Sequence, residues 1–121
     1  MNEFADGLKN RTKQLALRII KMSESSKRSI AADILIRQVV RSGTSVGANY
    51  REAYRARSDA EFISKMGDSL REIEETAYWL DLLGDSGIVP KQRLTELETE
   101  INELTAIWVT IIKSKRRNHP S

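Results

Sequence analysis

The chain has 121 residues, no cysteine and a formal net charge of +3, so it fits one domain that can form a hydrophobic core without metal or disulfide crosslinks. The missing cysteines exclude disulfides, thiolate nucleophiles and cysteine-ligated zinc. No apolar run reaches the length of a signal-peptide core or the ~18 residues of a membrane span, so we expect a cytoplasmic protein without a membrane partner.

Apolar residues recur at helical spacing in four segments of the chain. The first segment predicts a helix over about residues 4–24. Its apolar face carries Leu8, Leu15, Ile19 and Met22. A serine-rich connection over residues 23–29 follows, and Ser29 is placed to cap a second helix over about residues 30–57.

A capping box and a proline mark the starts of the remaining two helices. Ser58 and Glu61 have the spacing of a capping box, which predicts the start of a third helix over about residues 59–84. Pro90 suits the first turn of a fourth helix over about residues 90–115, because the missing N–H of proline costs nothing there.

Short connections between four helices of similar length predict the architecture. We expect an all-α fold, an up-down-up-down antiparallel four-helix bundle, as a single domain over residues 1–121. The basic tail, residues 116–121, is predicted to be frayed.

The stretch RQVVRSGTSVGANYREA, residues 37–53, places two glycines and several polar residues inside the second predicted helix. It is not a Walker-type phosphate loop, because Gly43 and Gly47 are one residue too close and Ala48 stands where lysine is required. A turn is disfavoured because the apolar spacing continues through the stretch. We therefore predict a continuous helix, in which the glycine pair lets a neighbouring backbone approach closely.

Polar residues flank the apolar faces of the second and third predicted helices, and they need partners if they are partly buried. We predict that they form a polar seam that fixes helix register or a subunit contact. Its members are Gln38, Arg41, Ser45, Asn49, Glu52, Ser69 and Glu72.

A catalytic alternative would use Ser45 as a nucleophile, or Glu52 and Glu72 as an acid–base pair. This alternative lacks a histidine base, because the sole histidine, His119, lies in the tail. We expect that the protein is not an enzyme and has no catalytic residue, cofactor or metal ion.

Two motifs of the seam resemble those of a known family, the bacterial four-helix-bundle proteins first noticed as products of intervening sequences within 23S ribosomal RNA genes. One family motif is Q-x-x-R-x-x-x-S-[IV]-x-A-N-x-x-E, and the other is an aromatic residue followed by G-S-x-x-E. The matching segments are Gln38-Val39-Val40-Arg41, Ser45-Val46-Gly47-Ala48-Asn49, Glu52, Phe62 and Ser69-Leu70-Arg71-Glu72.

The chain departs from the family motifs at a few positions. Gly47 stands where proline is usual, and Asp68 replaces the glycine before Ser69. The resemblance implies a four-helix bundle that assembles as a ring-like homo-oligomer, commonly a pentamer. It also implies RNA or DNA as a partner, since related proteins accompany retroelement reverse transcriptases and are thought to bind nucleic acid.

Several large apolar residues lie off the predicted bundle core, which indicates a second buried surface. Trp79 is the strongest candidate, because tryptophan is enriched at interface hot spots. The oligomer interface predicted from these residues and the glycine edge comprises Ile36, Val40, Gly43, Gly47, Tyr54, Tyr78, Trp79 and Leu82.

Charge is divided unevenly along the chain. Residues 1–58 carry a balance of +7, residues 59–112 carry −8, and the last nine residues add +4. Oppositely charged hairpins that attract one another explain this division, and so does a basic surface for nucleic acid. The predicted phosphate contacts are Arg37, Arg51, Arg55, Arg57, Lys113, Lys115, Arg116 and Arg117. The alternative is a scaffold whose partner is another protein, bound through Tyr78, Trp79 and the acidic helices.

Overall fold

Four helices form a bundle in the computed structural model, which describes residues 2–118. The helices are α1, Glu3–Glu24; α2, Ile30–Tyr54; α3, Asp59–Asp85; and α4, Thr95–Asn118, with a short 3-10 turn over Lys91–Arg93. This arrangement confirms the predicted all-α fold. No helix within residues 2–118 is long and apolar enough to cross a membrane.

Contacts between neighbouring helices follow antiparallel register. Between α2 and α3, the earlier Arg41 pairs with Glu72 and the later Glu52 pairs with Lys65. Between α1 and α4, the earlier Arg11 pairs with Glu100 and the later Arg18 pairs with Glu96. The chain therefore runs up and down alternately, and α1 lies between α2 and α4.

The helix boundaries differ from the predicted ones at two connections. The second helix ends at Tyr54, three residues earlier than expected. Pro90 has extended backbone dihedrals and precedes the 3-10 turn, so α4 begins at Thr95 and not at the proline.

The tail is helical as far as the structure describes it. Arg116, Arg117 and Asn118 continue α4, although we expected fraying from residue 116. Residues 119–121, with His119, lie outside the described residues.

The predicted serine caps are formed. Ser29 Oγ accepts a hydrogen bond from the Ala32 N–H at 3.0 Å, and Ser58 Oγ accepts one from the Glu61 N–H at 3.1 Å. The return bond of the capping box is shifted by one residue, because the Glu61 carboxylate accepts from the Arg57 N–H and not from that of Ser58. Each cap satisfies an N–H that has no partner inside its helix.

The core is continuous through the middle of the bundle. Trp108 of α4 is fully buried, and its ring centroid lies 5.1 Å from that of Tyr50 in α2. Apolar residues at helical spacing on each helix complete this core, including Leu15, Ile19, Val39, Met66, Ile73, Leu80 and Leu104. The core fixes which helix faces remain at the surface.

Candidate functional site

The glycine pair of α2 lies against α1 of the same chain. A Cβ atom added at Gly43 would lie 2.5 Å from Ile19 Cδ1, and one added at Gly47 would lie 3.0 Å from Thr12 Oγ1. Gly43 is buried. The predicted close approach therefore brings α1 and α2 together within one chain, and the assignment of Gly43 and Gly47 to an interface between subunits stays a prediction.

Small hydroxyl side chains join α2 to α3 inside the bundle. Thr76 Oγ1 lies 2.8 Å from Ser42 Oγ, and both residues are fully buried. Ser69 Oγ donates to the Val46 carbonyl at 2.8 Å and accepts from Trp108 Nε1 at 2.8 Å. These bonds satisfy polar groups that no water reaches, so they set the register of α2, α3 and α4.

Arg41 occupies the outer side of the same helix pair. Its guanidinium lies 3.3 Å from a Glu72 carboxylate oxygen and 2.6 Å from Glu75, and its Nε donates to the Gln38 side chain at 3.2 Å. One arginine thus connects two carboxylates of α3 with an amide of its own helix. Helical spacing of three residues places Glu75 beside Glu72, yet the predicted seam did not include Glu75.

The contacts in this cluster raise the pKa values of Glu72 and Arg41. Desolvation, together with a hydrogen bond and repulsion from Glu75, raises the pKa of Glu72, while Arg41 opposes this rise. The hydrogen bond to Glu75 is the largest cause that raises the pKa of Arg41. The cluster therefore contains a fixed cation between two acids, one of which ionises reluctantly.

Three other predicted seam residues do not join this cluster as expected. Ser45 Oγ donates back to the Arg41 carbonyl at 2.7 Å. Asn49 lines an open depression of about 300 Å³ beside Arg41 and Glu72, without a side-chain hydrogen bond to any residue that the structure describes. Glu52 lies one turn further on and pairs with Lys65 at 3.2 Å.

The hydroxyl of Ser45, the nucleophile of the catalytic alternative, donates to a carbonyl of its own helix. Within residues 2–118, no three side chains of the metal-binding types are grouped to hold an ion. The arrangement can hold helices in register and present charge.

A second feature is the bundle end at which α2 and α4 finish and α1 and α3 begin. Lys115 Nζ of α4 lies 3.6 Å from Asp59 and 4.9 Å from the Phe62 ring centroid in α3. Lys9 Nζ of α1 lies 3.6 Å from the Tyr54 ring centroid in α2. These contacts bring basic residues from distant parts of the sequence to one end.

We call this part of the surface the basic end. It comprises the exposed residues Arg51, Arg55, Arg57, Lys113, Arg116 and Arg117. None of the six forms a salt bridge with another residue of the described chain, whereas Lys115 is paired with Asp59. Arg55 and Arg57 also line an open depression of about 420 Å³, together with Lys65 and the acids Glu52 and Glu61.

Arg37 lies elsewhere, so it is separated from the other predicted phosphate contacts. It lines a groove of about 420 Å³ between α1 and α2. Apolar side chains of Ile20, Ile36 and Val40 line the same groove. Glu24, Arg28 and Asp33 also line it, so the α1–α2 groove combines apolar side chains with charges of both signs.

The apolar residues of α3 that we assigned to an interface differ in exposure. Tyr78 is 56% exposed, and its ring centroid lies 5.2 Å from that of Trp79. Trp79 packs partly against the core, and its Nε1 is buried without a hydrogen-bond partner among the described residues. Leu82 is half-buried.

Fold and surface together define an all-α four-helix bundle with a salt-bridged α2–α3 seam and one basic end. The chain belongs to the 23S rRNA-intervening sequence protein family, whose profile matches residues 8–110. This match confirms the resemblance seen in the two sequence motifs.

A solved structure is similar over nearly the whole bundle. It is the 1.70 Å crystal structure of a protein with unknown function from the S23 ribosomal protein family, from Bacteroides thetaiotaomicron. Its sequence is 32% identical, the TM-score is 0.80, and the match covers 90% of this chain and 97% of that chain. No curated protein matches this chain.

Proposed function

We propose that this protein is a non-catalytic, cytoplasmic homo-oligomer that binds RNA or DNA through backbone phosphates at the basic end. The observation that carries the proposal is the gathering at one end of the bundle of six exposed cations, from α2, the α2–α3 connection and α4, that form no salt bridge with a described residue. Cations that are not used in salt bridges are free to replace the counterions of a phosphate backbone.

The charge of the remaining surface supports the location of this site. Most acids of α3 and α4 lie away from the basic end, and several are paired with basic residues of α1 and α2, as in Arg11–Glu100 and Arg41–Glu75. The bundle therefore uses part of its positive charge for helix contacts and leaves six exposed cations at one end. Acids are also present at this end, among them Glu52, Asp59 and Glu61, but basic residues outnumber them there, so a polyanion that approaches meets net attraction.

Assembly is the second part of the proposal. The α1–α2 groove contains three apolar side chains among charged ones, and Leu17 and Ile20 of α1 are 47% and 37% exposed. Tyr78 on α3 supplies a second exposed apolar surface. Two different apolar surfaces on one chain suit head-to-tail contacts, which close into rings, and we propose the pentameric ring that the family resemblance implies.

A protein scaffold is the second candidate function. The exposed ring of Tyr78 beside Trp79 favours it, because aromatic residues are enriched at protein interfaces. In this case α3 would contact the partner and the basic end would remain unused.

Binding to a fluorescein-labelled 20-nucleotide RNA, followed by anisotropy at several salt concentrations, tests the main proposal. We expect binding at low salt that weakens steeply as salt rises, because phosphate contacts release counterions. The double variant Arg55→Gln/Arg57→Gln should weaken binding about tenfold or more and reduce the salt dependence.

The matched control is Lys21→Gln/Lys27→Gln, which removes the same charge from exposed positions at the opposite end. It should change affinity by less than about twofold. Absence of binding at low salt, or equal losses in both double variants, would contradict a phosphate site at the basic end and favour the scaffold.

A further inference from the structure

The basic end contains an exposed aromatic ring, that of Tyr54, which is surrounded by basic residues. Tyr54 is the last residue of α2 and is 40% exposed. The Lys9 ammonium lies over its ring, 3.6 Å from the centroid. Arg51 precedes it by one helical turn and Arg55 follows it directly.

The exposure of Tyr54 contrasts with that of Tyr50, one turn earlier on the same helix. Tyr50 is 3% exposed, packs against Trp108, and donates its hydroxyl to the Ala5 carbonyl at 3.3 Å. The Tyr54 hydroxyl forms no hydrogen bond within the described residues. Tyr54 is therefore not needed to complete the core, and part of its ring remains open to a ligand.

An aromatic ring among unpaired arginines fits a particular form of nucleic acid. Bases of a single strand can stack on an exposed ring while their phosphates contact neighbouring cations. Bases inside a duplex are already stacked on one another, and a ring at the end of a bundle cannot reach their faces. An arginine site without the ring would bind both forms through phosphate alone.

Tyr78 shows that exposure alone does not create such a site. It is more exposed than Tyr54, at 56%, but lies on α3 near Glu74, Glu75 and Asp81. These acids repel phosphate. Tyr78 is therefore a comparison within the same chain, because its ring is more accessible than that of Tyr54 but lies among acidic residues.

We propose that the basic end recognises unpaired, single-stranded nucleic acid, with one base stacked on Tyr54 and the adjoining phosphates on Arg51, Arg55 and Arg57. This inference rests on the proposed function and specifies its ligand. It also implies that Tyr54 lies outside the oligomer interface, in which we had predicted it, because a ring buried between subunits cannot stack with a base.

The test compares labelled 12-nucleotide single strands, oligouridine and oligothymidine, with a 12-base-pair duplex, by anisotropy at low salt. Wild type should bind both single strands about tenfold or more tightly than the duplex. Tyr54→Leu should weaken single-strand binding about 5- to 150-fold and leave duplex binding unchanged. Tyr54→Phe should retain binding because it keeps the ring, and Tyr78→Leu should stay within about twofold of wild type.

The outcomes separate this inference from the proposed function. If no strand binds wild type at low salt, the proposed function fails. If single strand and duplex bind equally and Tyr54→Leu changes neither, the phosphate site stands and base stacking is overturned. Circular dichroism and light scattering should show an unchanged fold and mass in Tyr54→Leu, and a smaller mass would overturn the inference by placing Tyr54 between subunits.

Discussion

At Ser69, a single hydroxyl group connects three helices. It donates to Val46 of α2 and accepts from Trp108 of α4, and the residue is fully buried. Ser69→Ala should lower the free energy of unfolding by about 1–3 kcal/mol, because the buried indole N–H loses its acceptor. Urea denaturation followed by circular dichroism measures this loss. Ser64→Ala, at an exposed position of α3, is the control, and equal stability of the two variants would contradict this role.

Gly43 and Gly67 give a matched pair of helical glycines. A Cβ at Gly43 would meet Ile19 Cδ1 at 2.5 Å, whereas one at Gly67 would meet nothing within 4 Å. Gly67→Ala should stabilise the protein by about 0.5–1 kcal/mol through helix propensity. Gly43→Ala should be less stable than Gly67→Ala by about 1–3 kcal/mol, because the core around Ile19 is already packed.

A third variant identifies the cause of this difference. Ile19→Val removes Cδ1 and should cost about 0.5–1.5 kcal/mol in wild type, but less in the Gly43→Ala background. Thermal unfolding of the four chains gives the coupling energy. Additive effects would show that contact with Ile19 does not limit the size of the side chain at position 43.

Tyr50 links stability to high pH. Burial raises the pKa of its hydroxyl to about 12, above the ordinary value of about 10. The folded state therefore favours the protonated form, and the contribution of this residue is fully present below about pH 10 and is lost as pH rises toward 12. Unfolding free energy should fall more steeply over this range in wild type than in Tyr50→Phe. Parallel pH profiles would contradict the assignment.

At the scale of helices, sequence periodicity was sufficient for the four elements and their order. The a/d spacing predicted α4 well because an amphipathic helix in a bundle must bury one continuous face. Its first turn was misplaced, because Pro90 is equally compatible with an extended connection. Residue 54 ends α2 without proline or glycine, so no local signal marked that boundary.

The partners of the polar residues were harder to predict. Periodicity placed Gly43 and Gly47 on one edge of α2, but an edge can face a helix of the same chain or of another subunit. The sequence did not predict that Glu52 pairs with Lys65. A long side chain can reach several neighbours, and only the register of α2 and α3 decides which one it contacts. The Ser69–Trp108 bond likewise depends on the α3–α4 register.

Salt bridges join α1 to α4. Arg11 Nε lies 3.0 Å from Glu100, and its guanidinium also contacts Glu103 at 3.0 Å. Arg11→Gln should cost up to about 1 kcal/mol at low salt, and the loss should shrink in 1 M NaCl because salt screens partly exposed ion pairs.

Arg28 provides the control for this prediction. It pairs with Asp33 at 2.8 Å but is 81% exposed, so Arg28→Gln should change stability by less than about 0.5 kcal/mol at either salt concentration. Urea denaturation of both variants at low and high salt gives the comparison. A loss for Arg11→Gln that is independent of salt would show that packing, and not charge, holds α1 against α4.

For the whole molecule, the proposed assembly predicts a mass well above that of the 13.8 kDa chain. Light scattering after size exclusion should give about five times the chain mass if the ring is a pentamer. Ile20→Ser changes the α1–α2 groove and should reduce this mass, whereas Ile30→Ser, at a site that is 84% exposed and outside the groove, should not. A monomeric wild type would remove the ring and leave the groove for another partner.

The central claim is that nucleic acid contacts one end of this bundle. Photocrosslinking of a 4-thiouridine-containing single-stranded RNA, followed by peptide mass spectrometry, locates the contact directly. We expect crosslinks in the segments that form the basic end, residues 51–57 and 113–118. Crosslinks concentrated on the acidic face of α3 around residues 74–81, or none at a salt concentration where binding is measured, would contradict the account.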